Sequence, residues 1–199
     1  MQFSFTAITV GLLVALSAAS PLPNPKTSTK TKAAAASSAT AIASAASSTA
    51  AASSSSSGSV LTASTYNAVQ ISDGTAGTAE TQANALFASI DQNNLAGVSA
   101  SDLAVIKGIH TAAEDAETSA FNPAIAAASG TAATALQNGK IKNKVLKLTA
   151  EVLGIQIDAA QGGSSSDLAA EQTKLANNIK LDTAANGQAS QSVSFDATT

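Results

Sequence analysis

The sequence of 199 residues contains no cysteine, no tryptophan and no arginine, and aromatic residues make up only 3% of it. Without cysteine the chain forms no disulfide and lacks the thiolate ligands typical of structural zinc sites. Nucleic-acid binding favours clustered basic charge and stacking aromatic side chains, whereas here 13 acidic residues stand against 10 lysines. These absences argue against disulfide-stabilised, zinc-dependent and nucleic-acid-binding proteins.

The first twenty residues carry no charged side chain, and an apolar run extends from Phe5 to Leu16. This run is shorter than the ~20 residues that span a membrane, and small residues follow it up to Ala19. The pattern predicts a secretory signal peptide over residues 1–19. We therefore expect a secreted protein, extracellular or in the cell wall, with no transmembrane segment.

Residues 33–57 are all Ala, Ser or Thr except Ile42, and prolines and three lysines precede them. Such a segment has too little large apolar surface to offset the entropy cost of ordering. We predict a disordered linker over residues 20–59. Its Ser/Thr density suits O-glycosylation in an exported protein, but a plain flexible spacer explains the composition equally well.

Apolar residues in the remainder recur every three or four positions, which is the spacing of amphipathic helices. The prediction is an all-α fold, an antiparallel bundle of about five helices over residues 60–187, followed by a C-terminal tail over 188–199. The tail is expected to be extended and to lie against the bundle, because Val193 and Phe195 alternate with serines. With no disulfide, this domain must fold on packing alone.

Local signals predict where the helices begin and end. The first is expected from about Gly74 to Ile90 with Ser72 or Asp73 as its cap, the second after a capping box of Ser99 and Asp102, and the third at Pro123 with Asn122 as its cap. Asn138 and Gly139 are expected to end the third helix. A last helix is expected after a second capping box, Ser164 with Asp167, and ends near Gly187.

The helix predicted over residues 140–160 has an unusually wide apolar arc and a lysine-rich edge. An apolar arc of this width is expected for a central helix that is contacted on two sides, with Leu148 facing the core and Lys144 facing water. Gly108 and Gly154 are expected to let neighbouring helices approach closely in an alanine-rich core.

Four segments resemble a group of fungal small secreted proteins, largely uncharacterised, alanine-rich and free of cysteine. The segments are QISDGTAGTAETQANALF, AAEDAETSAFNPAIAAASG, ALQNGKIKNKVLKLTAEVL and LDTAANGQASQSVSF, and the resemblance covers about residues 66–196. The composition more loosely resembles the fungal hydrophobic-surface-binding and cell-wall galactomannoprotein family. That second resemblance implies adsorption to hydrophobic surfaces, wall association or lipid capture, and neither implies a catalytic residue.

The lysine cluster is the candidate partner-docking site. It consists of Lys140, Lys142, Lys144 and Lys147. One interpretation is a basic strip that docks an anionic wall polymer, a lipid head group or a host protein. The other is a solvated edge that balances the acidic group of Glu114, Asp115 and Glu117 on a neighbouring helix, as is usual for charge runs on helices.

No catalytic, cofactor or metal site is predicted. The single histidine, His110, shares a helix face with Glu114, and one such pair does not build a zinc site. No nucleophile elbow follows the pattern G-x-S-x-G, and the glycines of SDGTAG lack the strand and the Lys-Ser/Thr ending of a phosphate loop. We expect a protein that is not an enzyme and has no cofactor.

Two functions of different classes remain open. The first is a secreted, wall- or surface-associated interaction module that binds a protein, a wall polysaccharide or a hydrophobic surface, with a host-interacting effector as one form of it. The second is an extracellular carrier that holds a fatty acid or sterol in an apolar helical core. A long apolar cavity would favour the carrier, and a filled core would favour the interaction module.

Overall fold

A computed structural model describes residues 58–199 of the chain. The predicted signal peptide over 1–19 and nearly all of the predicted linker over 20–59 lie outside the described residues. Most of the described part of the chain is helical, and the predicted all-α bundle is confirmed. The helices are α1 Tyr66–Val69, α2 Ala79–Leu86, α3 Ala100–Ala116, α4 Asn122–Ala127, α5 Gly130–Ala160 and α6 Leu168–Ala184, and the short strands are β1 Gly74–Thr75 and β2 Ala189–Ser190.

Helix α5 is the centre of the bundle, as its wide apolar arc predicts. It is 31 residues long and is contacted by α2, α3, α4, α6 and β2. Ion pairs join Lys107 to Asp158 and Lys147 to Glu114, so α3 and α5 run antiparallel. Leu148 is buried and the Lys144 side chain is one-third exposed, 33%, which agrees with the predicted orientation of the helix.

The expected helix end at Asn138 and Gly139 is wrong, because α5 runs through both residues. Asn138 donates a side-chain hydrogen bond of 2.9 Å to the Ala189 carbonyl of β2. A Cβ atom added to Gly139 would overlap the Gln191 carbonyl oxygen, so the C-terminal segment lies directly on the helix at this point. Asn138 and Gly139 allow the C-terminal segment to pack closely on α5. Local turn preferences do not indicate such a long-range contact.

The other predicted helix boundaries are partly confirmed. Ser99 caps α3 as predicted and accepts from the Asp102 backbone N–H. Asn122 is not a cap, because a π-helical turn over Glu117–Phe121 carries α3 into α4 without a break. Helix α2 is shorter than expected and has no side-chain cap bond of its own, and the Asp167 side chain makes no cap bond to α6.

The C-terminal segment packs against the bundle, as expected. Strand β2 pairs antiparallel with β1, and the ring of Phe195 meets that of Tyr66 edge-on with centroids 5.9 Å apart. Tyr66 donates its hydroxyl to Asn143 Oδ1 of α5 at 2.8 Å, and its burial raises its pKa to about 12. Tyr66 therefore contacts both the central helix α5 and the C-terminal segment.

The two glycines expected to permit helix contact behave differently. A Cβ on Gly154 would stand 3.9 Å from Ile106 and Lys107, an ordinary van der Waals distance, so α3 and α5 do not need glycine there. A Cβ on Gly108 would overlap the backbone of Thr199 rather than another helix.

Within residues 58–199, no helix has both the length and the apolar character needed to cross a bilayer.

Candidate functional site

A half-open apolar groove lies where α2, α5 and α6 meet. Its volume is about 310 Å³. The lining residues are Asn84, Phe87, Ala88, Ile90, Gln92, Thr149, Val152, Leu153, Gln156 and Leu175. Phe87, Ile90 and Leu153 belong to the main apolar core, so the bottom of the groove is a face of that core. We refer to it as the α2–α5–α6 groove.

Every polar side chain in the groove lining is neutral. Asn84, Gln92 and Gln156 contribute amides, and Thr149 contributes a hydroxyl that already donates to the Val145 carbonyl at 2.8 Å. Among the described residues, the three amide groups have no hydrogen-bond partner. Each amide offers two donors and an acceptor, so the groove combines apolar walls with unengaged hydrogen-bonding groups.

The four lysines of the predicted docking strip do not form one exposed surface. Lys142 is fully buried, and its Nζ donates to the carbonyl oxygens of Asp73 at 2.7 Å and Thr75 at 3.1 Å. Its place in the strip is therefore corrected, because a buried ammonium cannot reach a partner. Burial lowers the pKa of Lys142, and the charges of Asp182 and Asp73 oppose that shift.

The other three lysines already have acceptors within the chain. Lys147 is mostly buried and binds Glu114 at 2.5 Å and Glu117 at 3.0 Å. Its burial favours a lower pKa, but the hydrogen bonds to both glutamates outweigh burial and raise the pKa. Lys144 lies 3.3 Å from Glu117, and Lys140 donates to Asn122 at 3.2 Å. Lys144 and Lys147 are thus balanced by Glu114 and Glu117. Docking through Lys140, Lys144 and Lys147 stays a prediction.

His110 faces α5 rather than its helical neighbour Glu114. Its Nδ1 lies 3.7 Å from Glu151 Oε2 and makes no hydrogen bond within the described residues. Burial raises the pKa of Glu151, the His110 charge lowers it in part, and the Glu171 carboxylate of α6 raises it further. No group of three or more His, Cys, Asp or Glu residues in the described part of the chain is arranged to hold a metal ion.

Asp102 holds the segment of Ser59, Val60 and Leu61 against the start of α3. The predicted capping box accounts only for its contact with Ser99. Its Oδ1 accepts from Ser59 Oγ at 2.8 Å and from the backbone N–H groups of Val60 at 2.9 Å and Leu61 at 2.7 Å. Ser99 Oγ binds its Oδ2 at 2.8 Å. Burial alone would raise the pKa of Asp102, but these hydrogen bonds outweigh it and hold the pKa below its ordinary value.

Asp182 is a second buried carboxylate that links distant segments. It accepts from the Ala79 backbone N–H at 2.8 Å and so supplies the missing cap of α2 from α6. The two residues are 103 positions apart, which leaves no local signal in the sequence. The groove was missed for the same reason, since its walls come from three helices that the sequence pattern does not place side by side.

Residues 61–194 match a family described as Domain of unknown function (DUF8454). No curated protein and no solved structure matches the chain. The family description names no activity, so the resemblances to the two fungal families stay predictions. Because the match covers the greater part of the chain, this protein belongs to the DUF8454 family.

Proposed function

We propose that this protein is a non-enzymatic interaction module of the cell exterior or cell wall, and that it captures an apolar group in the α2–α5–α6 groove. The N-terminal sequence pattern supports export. The observation that carries the proposal is the groove itself, whose volume of about 310 Å³ reaches the lower end of ligand pockets, ~300–1,000 Å³. Its apolar walls and few polar groups are typical of such pockets.

The filled core favours a groove binder over a carrier that encloses a long chain. Val145, Leu146 and Ile157 of α5 are fully buried within the main apolar cluster. A long acyl chain or a whole sterol would need a continuous interior cavity, whereas the groove lies beside the core. The bound group is therefore a limited part of a surface or ligand.

A groove-filling substitution tests this proposal. Thr149→Phe places a ring in the groove, and Thr173→Phe is its matched control, because Thr173 is exposed on α6 and makes an equivalent bond of 2.8 Å to the carbonyl four residues earlier. Affinity for the neutral fluorescent probe N-phenyl-1-naphthylamine should fall at least about tenfold in Thr149→Phe, since the ring occupies the ligand volume. It should stay within about twofold in the control, which changes only the surface.

Thermal unfolding of both variants establishes that they are folded. Equal probe affinity for the two folded variants would place binding elsewhere and overturn the proposal. Native mass spectrometry of protein from its own culture medium gives an independent readout, because a retained ligand adds mass that Thr149→Phe should lose.

A further inference from the structure

The charge around the α2–α5–α6 groove indicates which ligands it accepts. None of its lining residues is charged. Lys174, which precedes the lining residue Leu175 in the sequence, is bound to Glu171 at 2.7 Å. An anion entering the groove would therefore meet no cation among the lining residues.

The cost of desolvation acts in the same direction. Moving an ionised carboxylate into an apolar site without a paired charge is far more costly than moving a hydroxyl that finds a hydrogen bond. The free amides of Asn84, Gln92 and Gln156 supply such bonds to a hydroxyl or carbonyl. The groove therefore solvates a neutral polar group better than an anionic one.

The volume limits the size of the apolar part. An apolar cavity of ~150 Å³ holds one benzene ring, and this groove, at about 310 Å³, has roughly twice that volume. Two fused rings, or an aliphatic body of similar bulk, would fill it.

We propose that the groove selects an uncharged ligand with an apolar body of about two rings and one hydroxyl or carbonyl group, and discriminates against carboxylates of the same shape. This inference rests on the proposed function, because it assigns a ligand class to the same groove. It separates the groove from a fatty-acid site, in which a basic side chain would pair with the carboxylate.

The test compares 2-naphthol with 2-naphthoate, which share a ring system but differ in charge near neutral pH. Fluorescence or calorimetric titration of the purified protein should show 2-naphthol binding at least about tenfold more tightly, because only the carboxylate must be desolvated as an ion. Gln156→Lys adds a cation to the groove wall and should shift the ratio toward 2-naphthoate by about tenfold or more. Gln172→Lys, on the exposed surface of α6 outside the groove lining, should leave the ratio unchanged.

The outcomes separate the two proposals. If 2-naphthoate binds as tightly as 2-naphthol and Thr149→Phe abolishes both, the groove binds ligands but the neutral ligand class is wrong. If neither compound binds, or if Thr149→Phe leaves both affinities unchanged, the proposed function fails together with this inference. An equal shift of the ratio in Gln172→Lys would show that overall charge, not the groove, sets the preference.

Discussion

Helix α3 buries five apolar residues and one carboxylate, Asp102, whereas the two buried residues of α6 are both carboxylates, Glu171 and Asp182. The α3–α5 interface contains Ile106 and Ile109 and is bordered by the ion pairs of Lys107 and Lys147. At the α5–α6 interface, the apolar residues of α6 that reach the core, such as Leu175 and Ile179, are only partly buried. Both helices lie along the same central helix, but α6 contributes much less buried apolar surface.

The carboxylates of α6 are also incompletely satisfied. Within the described residues, Glu171 Oε2 and Asp182 Oδ1 are buried without a hydrogen-bond partner. Elements with few buried apolar contacts open at lower free energy than the rest of a domain. We therefore expect α6, which lines the groove through Leu175, to be less firmly held to α5 than α3 is.

Truncating one isoleucine of α3 and one of α6 should give the largest difference in the free energy of unfolding. Ile106 of α3 is fully buried and Ile179 of α6 is partly buried. Ile106→Ala should lower the free energy of unfolding by about 2–5 kcal/mol, because the side chain leaves a cavity in a packed interior. Ile179→Ala should cost roughly 1–2 kcal/mol, since less apolar area returns to water.

Urea unfolding followed by circular dichroism measures both values. Similar losses from the two substitutions would contradict the contrast between the interfaces. A greater loss from Ile179→Ala would reverse it and make α6 the principal partner of α5.

The sequence predicts the individual helices of the bundle better than it predicts the contacts between them. The spacing of apolar residues identifies the helices, and the capping box of Ser99 marks the start of α3, because both signals lie within a few residues. The burial of Lys142 has no local signal, since its acceptors are carbonyl oxygens near β1, 67 and 69 residues away. From the sequence alone, Lys142 cannot be distinguished from the neighbouring lysines Lys140 and Lys144, which are not buried.

The groove shows the same limit. Phe87 and Leu153 are predictable as apolar helix positions, but the neutral amides around them have no pattern that distinguishes them from ordinary surface residues. Only the packing of α2 and α6 against α5 brings these groups together. Site prediction from sequence failed here because the site has no motif of its own.

Two glycines of α5 give a smaller effect, with opposite signs. Gly154→Ala should stabilise the protein by about 0.5–1 kcal/mol, because α3 leaves room for a methyl group and alanine favours the helix. Gly139→Ala should destabilise it by about 1–3 kcal/mol, because the methyl group would overlap the Gln191 carbonyl oxygen. The residues after α6 thus approach α5 more closely than α3 does.

Thermal unfolding of the two alanine variants compares them under one condition. A stabilising Gly139→Ala would show that the C-terminal segment moves away at little cost. A destabilising Gly154→Ala would show that α3 and α5 are packed more tightly than the distance of 3.9 Å indicates.

The smallest effects should come from two glutamates whose responses to acid are opposite. The hydrogen bond from Lys147 lowers the pKa of Glu114, so its contribution to stability is present above the unfolded pKa and is lost as pH falls through the folded pKa. Burial raises the pKa of Glu151, so its ionisation opposes folding, and this opposition disappears as pH falls through the raised folded pKa.

At pH ~7, Glu114→Gln should therefore cost about 0.2–1 kcal/mol, a range suited to a partly exposed pair, and Glu151→Gln should stabilise slightly. At about pH 3, near or below the ordinary range for glutamate, both differences from the unsubstituted protein should shrink in urea unfolding. The same sign for both substitutions at neutral pH would show that the two sides of α5 do not differ in their electrostatics.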